Sequence, residues 1–171
     1  MQKGRGKKQA GLSLGVAALL IAFDQLSKSW IRANLIPGES FPESGFLRLT
    51  YVTNTGAVFG LPVNQTALIA LTIVILIVII LLLYHYLYVA TTLNVISAGL
   101  IFGGAAGNLI DRLRLGFVID FIDIRLWGNF HWPAFNFADA AIVIGTFMLA
   151  YSLIRSELLG RACEHNRKIR D

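Results

Sequence analysis

From Thr66 to Leu83 the chain runs through eighteen residues with no charge, no glycine and no proline. A helix of that length nearly crosses the roughly 30 Å hydrocarbon core of a bilayer, and a soluble fold has little use for so uniform a segment. The remainder agrees with that reading, since 56% of the 171 residues are hydrophobic and only 15% are charged. These values place the chain among membrane proteins of one domain, residues 1–171. Four stretches have the required length and character, at about 11–31, 66–86, 93–112 and 135–155. The expected fold class is therefore all-α membrane protein, a four-transmembrane-helix bundle carrying a small β platform and extracytoplasmic loops on its outer face.

The second span carries no polar group suited to chemistry. The other three are interrupted, by Asp24 and Lys28, by Gly103, Gly104 and Gly107, and by Asn136 and Asp139. Lys3, Arg5, Lys7 and Lys8 precede the first apolar run as they would in a signal peptide, but no small-x-small cleavage site follows, so a retained span is expected. Nine of the fifteen Lys and Arg residues lie in the two tails, four before Gly11 and five from Arg155 onward. The positive-inside rule then puts both termini in the cytoplasm, with segments 32–65 and 113–134 on the other side and a tight turn from Tyr84 to Thr92. The net charge of +5 reads as a topology signal and an attraction to membrane lipids, and no soluble basic element interleaves with aromatics to suggest nucleic acid. A monomer is expected.

The outer segments contain period-two patterns at Phe46–Thr53 and Ile122–Leu126, which suggest short strands lying on the membrane surface. Pro37-Gly38 and Glu43-Ser44-Gly45 are the expected turns.

Two aspartates stand where an ionised carboxylate is costly, Asp120 in Gly116–Ile122 and Asp139 at the head of an apolar run. Brought together, their like charges would push one pKa up and leave a proton-sharing pair of the kind that activates water in aspartic hydrolases. Asp24 and Lys28, four apart on one helix, can form an internal ion pair, or Asp24 can orient other polar groups. Ser27 and Lys28 are adjacent, so they diverge on a helix and form no hydrolytic pair. Asn54-Thr-Gly56 is equally a turn and a source of a carboxamide. Gly103 and Gly107 form a small-xxx-small face for helix packing. Asn108, Asp111 and Arg112 end one helix as a polar cluster that snorkelling explains only in part. His85, His131 and His165 are scattered, Cys163 is alone, and no His-Glu-x-x-His occurs, so neither a metal nor a cofactor is expected.

Five ordered motifs, Asp24-Gln-Leu-Ser-Lys28, Asn54-Thr-Gly-Ala-Val-Phe59, Gly103-Gly-Ala-Ala-Gly-Asn-Leu-Ile-Asp-Arg112, Val118-Ile-Asp-Phe121 and Phe135-Asn-Phe-Ala-Asp139, resemble nearly end to end the bacterial lipoprotein signal peptidases, or signal peptidase II. The resemblance implies an aspartic endopeptidase of the cytoplasmic membrane with a catalytic pair at Asp120 and Asp139. It implies supporting roles for Asp24, Asn54, Asn108, Asp111, Arg112 and Asn136. It further implies, as substrate, prolipoproteins whose diacylglyceryl-modified cysteine directly follows the bond cut. The chain departs from the common family pattern at Ala57-Val-Phe59, where Ala-Ala-Phe is usual, and at Ala140, where a serine is frequent. From the residues alone, two other classes stay open: a proton-coupled transporter using the same carboxylates, and a scaffold pairing through Gly103 and Gly107. The absence of Gly-x-Gly-Asp argues against the presenilin and prepilin type of aspartic protease.

Overall fold

The computed structural model describes residues 2–56, 64–86, 91–128 and 130–170. It contains four helices, α1 (Gln2–Asn34), α2 (Gln65–Tyr86), α3 (Thr92–Leu115) and α4 (Phe137–Arg170). Four strands accompany them, β1 (Ser40–Phe41), β2 (Leu47–Asn54), β3 (Val118–Trp127) and β4 (Phe130–Phe135). All four helices are long and apolar enough to cross a membrane. Two outrun the expected spans, because α1 starts at Gln2 and α4 continues to Arg170. Both tails are rich in residues that favour helix and contain no proline, so the helix continues past the hydrocarbon. Of the turn expected at Tyr84–Thr92, residues 87–90 lie outside the described residues.

Glycine places α3 at the centre of the bundle. A Cβ on Gly103 would sit 3.0 Å from the Ala17 backbone of α1, and one on Gly104 would sit 2.4 Å from the Ala138 carbonyl oxygen of α4. Backbone-to-backbone approach of that kind is how helices associate where water exclusion supplies no drive. The small-residue face expected at Gly103 and Gly107 thus packs against neighbours inside the same chain. By contrast α2 leans chiefly on α3, and none of its apolar window is buried within the protein.

Helix α3 starts at Thr91, whose hydroxyl accepts from the Asn94 N–H at 3.2 Å. It ends at Gly116, whose φ of 82° is left-handed and whose N–H donates to the Arg112 carbonyl at 3.2 Å. Only glycine adopts that turn without strain, and it reverses the chain straight into β3. The strands form one antiparallel sheet in the order β1-β2-β3-β4. β3 runs longer than the expected 122–126 and takes in Asp120, while β4, with Pro133 inside it, was not expected at all. The sheet closes one end of the bundle over a small core of Ile31, Tyr51, Ile119 and Phe121. Phe137 at the head of α4 packs edge-on against Phe121 at 5.3 Å.

Candidate active site

Asp120 reaches the bundle from β3, paired with Val52 of β2, and is buried. Asp139 arrives from the first turn of α4, where local sequence fixes it. The Asn136 side-chain carbonyl accepts from the Asp139 N–H at 2.9 Å, and the Asp139 carboxylate accepts from the Asn136 N–H at 3.2 Å. Asn136-Phe-Ala-Asp139 is thus a reciprocal capping box, and the N-terminus of α4 favours a negative charge there.

Asn136 also joins the two carboxylates. Its fully buried amide donates to Asp120 Oδ1 at 2.7 Å, with Asn108 Oδ1 at 3.2 Å and the Ile119 carbonyl at 3.3 Å as further acceptors. Asn108 Nδ2 donates to Asp139 Oδ1 at 2.7 Å, and Asn54 Nδ2 to Asp120 Oδ2 at 2.9 Å. Each of the four carboxylate oxygens therefore has one neutral N–H donor. Among the described residues no cation forms an ion pair with either aspartate. Asn54 is itself oriented by its turn, because its Oδ1 accepts from the Gly56 N–H at 2.9 Å and leaves Nδ2 for Asp120. Both readings of Asn54-Thr-Gly56 hold at once. Ala57, Val58 and Phe59 of that motif lie outside the described residues.

Behind this pair sits a second carboxylate group. Lys28, only 2% exposed, places its ammonium 2.7 Å from Asp24 and 2.9 Å from Asp111. Its third interaction, at 3.0 Å, is with Asn108 Oδ1. That contact sets the orientation of the Asn108 amide, since an oxygen facing an ammonium leaves the NH₂ for Asp139. Asp24 accepts the Ala138 N–H at 3.0 Å and so ties α1 to the head of α4. Asp111 accepts from Gln25 Nε2 at 2.7 Å and from the Ile119 N–H at 3.3 Å, fixing the start of β3. Gly107 makes room for the cluster, because a Cβ there would lie 2.9 Å from Asp24 Oδ2. Arg112 turns inward, donating to the Asn108 carbonyl at 3.5 Å within Coulombic reach of Asp139, Asp120 and Asp111. Snorkelling therefore does not account for it.

Burial, and after it the charge of Asp139, push the Asp120 carboxyl up to about 6, against the smaller opposing effects of the Asn54 and Asn136 amides. A carboxyl that titrates there can give and take a proton near neutral pH, as acid–base catalysis requires. Among the described residues no three His, Cys, Asp or Glu side chains gather as metal ligands.

This geometry meets clear relatives. Residues 16–155 match the family model for signal peptidase (SPase) II. The chain is 49% identical over 140 residues to the lipoprotein signal peptidase of Moorella thermoacetica, spanning 81% of this chain and 90% of that one. It is 42% identical over 145 residues to the lipoprotein signal peptidase of Desulforapulum autotrophicum, spanning 81% and 89%. A solved bacterial membrane enzyme superposes with a TM-score of 0.75 at 33% identity, over 86% of this chain and 90% of that one. The chain belongs to the signal peptidase II family. It is accordingly an enzyme, a peptidase, and the transporter reading gains no support.

In this signal peptidase II chain the structure gathers all eight residues singled out from the sequence, in two layers. Asp120, Asp139, Asn54, Asn108 and Asn136 are in direct contact with one another, and Arg112 lies beside them. Asp24 and Asp111 form no hydrogen bond with either aspartate and meet Lys28 and the backbone instead. Lys28 and Gln25 were missed as site residues, although the Asp24-x-x-x-Lys28 spacing was a usable signal for Lys28. A third acidic centre on the sheet was also missed. Asp123 accepts from Arg48, from Thr50 Oγ1 at 3.1 Å, and pairs with His131 Nδ1 at 2.8 Å. Its partners sit on strands that no single segment reveals. Ser27 forms no hydrolytic pair, since its hydroxyl donates to the Phe23 carbonyl at 2.6 Å.

Proposed function

We propose that this protein removes signal peptides from prolipoproteins, cutting directly before a diacylglyceryl-modified cysteine, with Asp120 and Asp139 as the catalytic pair. The observation that carries the assignment is that Asn136 bridges two carboxylates, neither of which forms an ion pair among the described residues. The pair starts the reaction holding one proton. The ionised carboxylate takes a proton from water as the hydroxyl oxygen adds to the scissile carbonyl carbon, and the protonated one donates to the carbonyl oxygen. Collapse of the tetrahedral intermediate then breaks the C–N bond as the nitrogen takes up the proton the first carboxyl accepted, while a hydroxyl of the intermediate returns its proton to the second carboxylate, which releases the acid product and restores the pair with one proton. Two macroscopic pKa values describe such a pair.

Asn54, Asn108 and Asn136 hold the carboxylates. Arg112 offsets charge that develops in the intermediate, an effect on the order of 10²–10³ in rate for one well-placed donor. Asp24, Lys28 and Asp111 are positioning residues. The whole chain works as one integral membrane domain and as a monomer, in the bacterial cytoplasmic membrane with both tails on the cytoplasmic side. The sheet and the aspartates then face the outer compartment, at the depth where a lipid-anchored substrate presents its scissile bond. The test is a gel-shift cleavage assay on purified diacylglyceryl-modified prolipoprotein with a chelator present throughout. Native protein cleaves; Asp120→Asn and Asp139→Asn, folded and inserted normally, do not. Cleavage by either variant at near the native rate overturns the catalytic assignment.

A further inference from the structure

Beside the Lys28 cluster, the last turns of α1 and α3 border a shallow, open recess at the sheet end of the bundle, about 20 Å³ in volume. Arg32 and Ser29 of α1 and Arg114 of α3 line it, over a back wall that includes Lys28 and Asp111. None of Asp120, Asp139, Asn54, Asn108, Asn136 or Arg112 contributes to it. We propose that the exposed mouth of this recess, where Ser29, Arg32 and Arg114 all face outward, binds the phosphate of an anionic membrane-lipid headgroup.

Three observations point there. Arg32 and Arg114 come from different helices, and among the described residues neither has an ion-pair partner. A cation in the last turn of a helix is ordinarily explained by the helix dipole. That explains each arginine alone, but not why both line one cavity. The second observation is the hydroxyl. Ser27, Thr72, Ser97 and Thr146 each donate to the carbonyl four residues earlier, as buried or lipid-facing helix hydroxyls do. Ser29 is exposed, makes no such bond and has no hydrogen-bond partner among the described residues, so its hydroxyl is available at the mouth of the recess. Thirdly, the acid in the wall does not compete. Both Asp111 oxygens are engaged, by Lys28, Gln25 and the Ile119 N–H.

Two guanidinium forks and a hydroxyl suit a tetrahedral oxyanion, and Arg is the side chain whose planar donors match phosphate oxygens. The helix ends put the recess where headgroups of the adjacent leaflet lie, so lipid is the expected source. Inorganic phosphate shares the chemistry and must be tested beside it.

The experiment is native mass spectrometry of the full chain in mild detergent, titrated separately with dioleoylphosphatidylglycerol, dioleoylphosphatidylcholine and inorganic phosphate. The variants are Arg32→Gln/Arg114→Gln and, as a control of equal charge change in a tail, Lys7→Gln/Lys8→Gln. Each basic residue near a headgroup gives about fivefold in affinity, so loss of the arginine pair should weaken phosphatidylglycerol binding about 25-fold. Phosphatidylcholine binding should not change, and the lysine control should keep the native affinity. Arg32→Lys/Arg114→Lys, which retains charge without the planar fork, should fall in between. Equal losses in the Gln and tail variants would mean unspecific charge attraction and overturn the site, as would no loss in either. Phosphate binding without preference for phosphatidylglycerol would overturn the lipid as its source.

Discussion

Two pairs of aspartates lie close together in this fold, with Asp24, Asp111 and Asp120 buried and Asp139 half-buried, and they are treated in opposite ways. Asp24 and Asp111 face a single ammonium, that of Lys28, at 2.7 and 2.9 Å. Asp120 and Asp139 are hydrogen-bonded among the described residues by amides, with Asn136 and Asn108 at 2.7 Å and Asn54 at 2.9 Å, and Arg112 lies alongside without an ion pair. A buried carboxylate held by a cation and by backbone N–H groups becomes architecture. One that meets a like charge across neutral donors keeps a proton in play near neutral pH. Asn108 links the two regions, since its oxygen faces Lys28 and its nitrogen faces Asp139. Asp123, on the sheet, shows the third treatment. Burial alone would raise its carboxyl, but His131, Arg48 and Thr50 outweigh it and hold the carboxyl below the usual range.

If the contrast is right, substitutions should separate activity from stability. Asp139→Asn should lower the cleavage rate on the order of 10⁴-fold with the fold intact, a loss read by single-turnover cleavage in detergent. The charge-compensated pair should respond in stability. Lys28→Met leaves Asp24 and Asp111 facing each other uncompensated and should cost about 3–5 kcal/mol, read by thermal unfolding in detergent. Retained stability there would erase the distinction between the pairs.

Asp120→Asn should move stability the other way. The folded carboxyl, at about 6, lies above its ordinary value of 3.8. The native fold therefore loses stability as pH rises from about 4 through 6, and above that the loss is complete. The Asn variant should be more stable than native at pH 8 by on the order of 2–3 kcal/mol, with the gain fading towards pH 4. The smallest effect belongs to Asn54→Ala. Its amide holds the Asp120 carboxyl down, so removing it should shift the alkaline limb of the rate profile upward.

Much of this arrangement was legible in the chain. The uncharged run at Thr66–Leu83 dictated a lipid-facing helix, and α2 has none of its apolar window buried. The Asp24-x-x-x-Lys28 spacing made an ion pair one of two readings before any tertiary contact was known, because i and i+4 share a helix face, and the structure forms that pair. Asn136-Phe-Ala-Asp139 carries the pattern of a capping box, and its significance is that the cap and the site are one structure. Other features depend on contacts distant in sequence. That Asn108 would lie between Lys28 and Asp139 depends on how three helices meet, and residue spacing says nothing of it. Arg48 and His131 find Asp123 only through the registers of β2 and β4 with β3, which pair Arg48 with Asp123 and Arg125 with His131. Strand β4 escaped notice because Pro133 breaks a period-two pattern that an edge strand tolerates.

The most direct measurement of the difference between the two pairs is an infrared pH titration of the protonated-carboxyl stretch in native protein, Asp120→Asn and Asp139→Asn. One buried carboxyl should titrate near pH 6 in the native protein, vanish in Asp120→Asn, and move to lower pH in Asp139→Asn, where the repelling charge is gone. A native titration near pH 6 that persists unchanged in both variants, or the absence of any such carboxyl, would contradict the account.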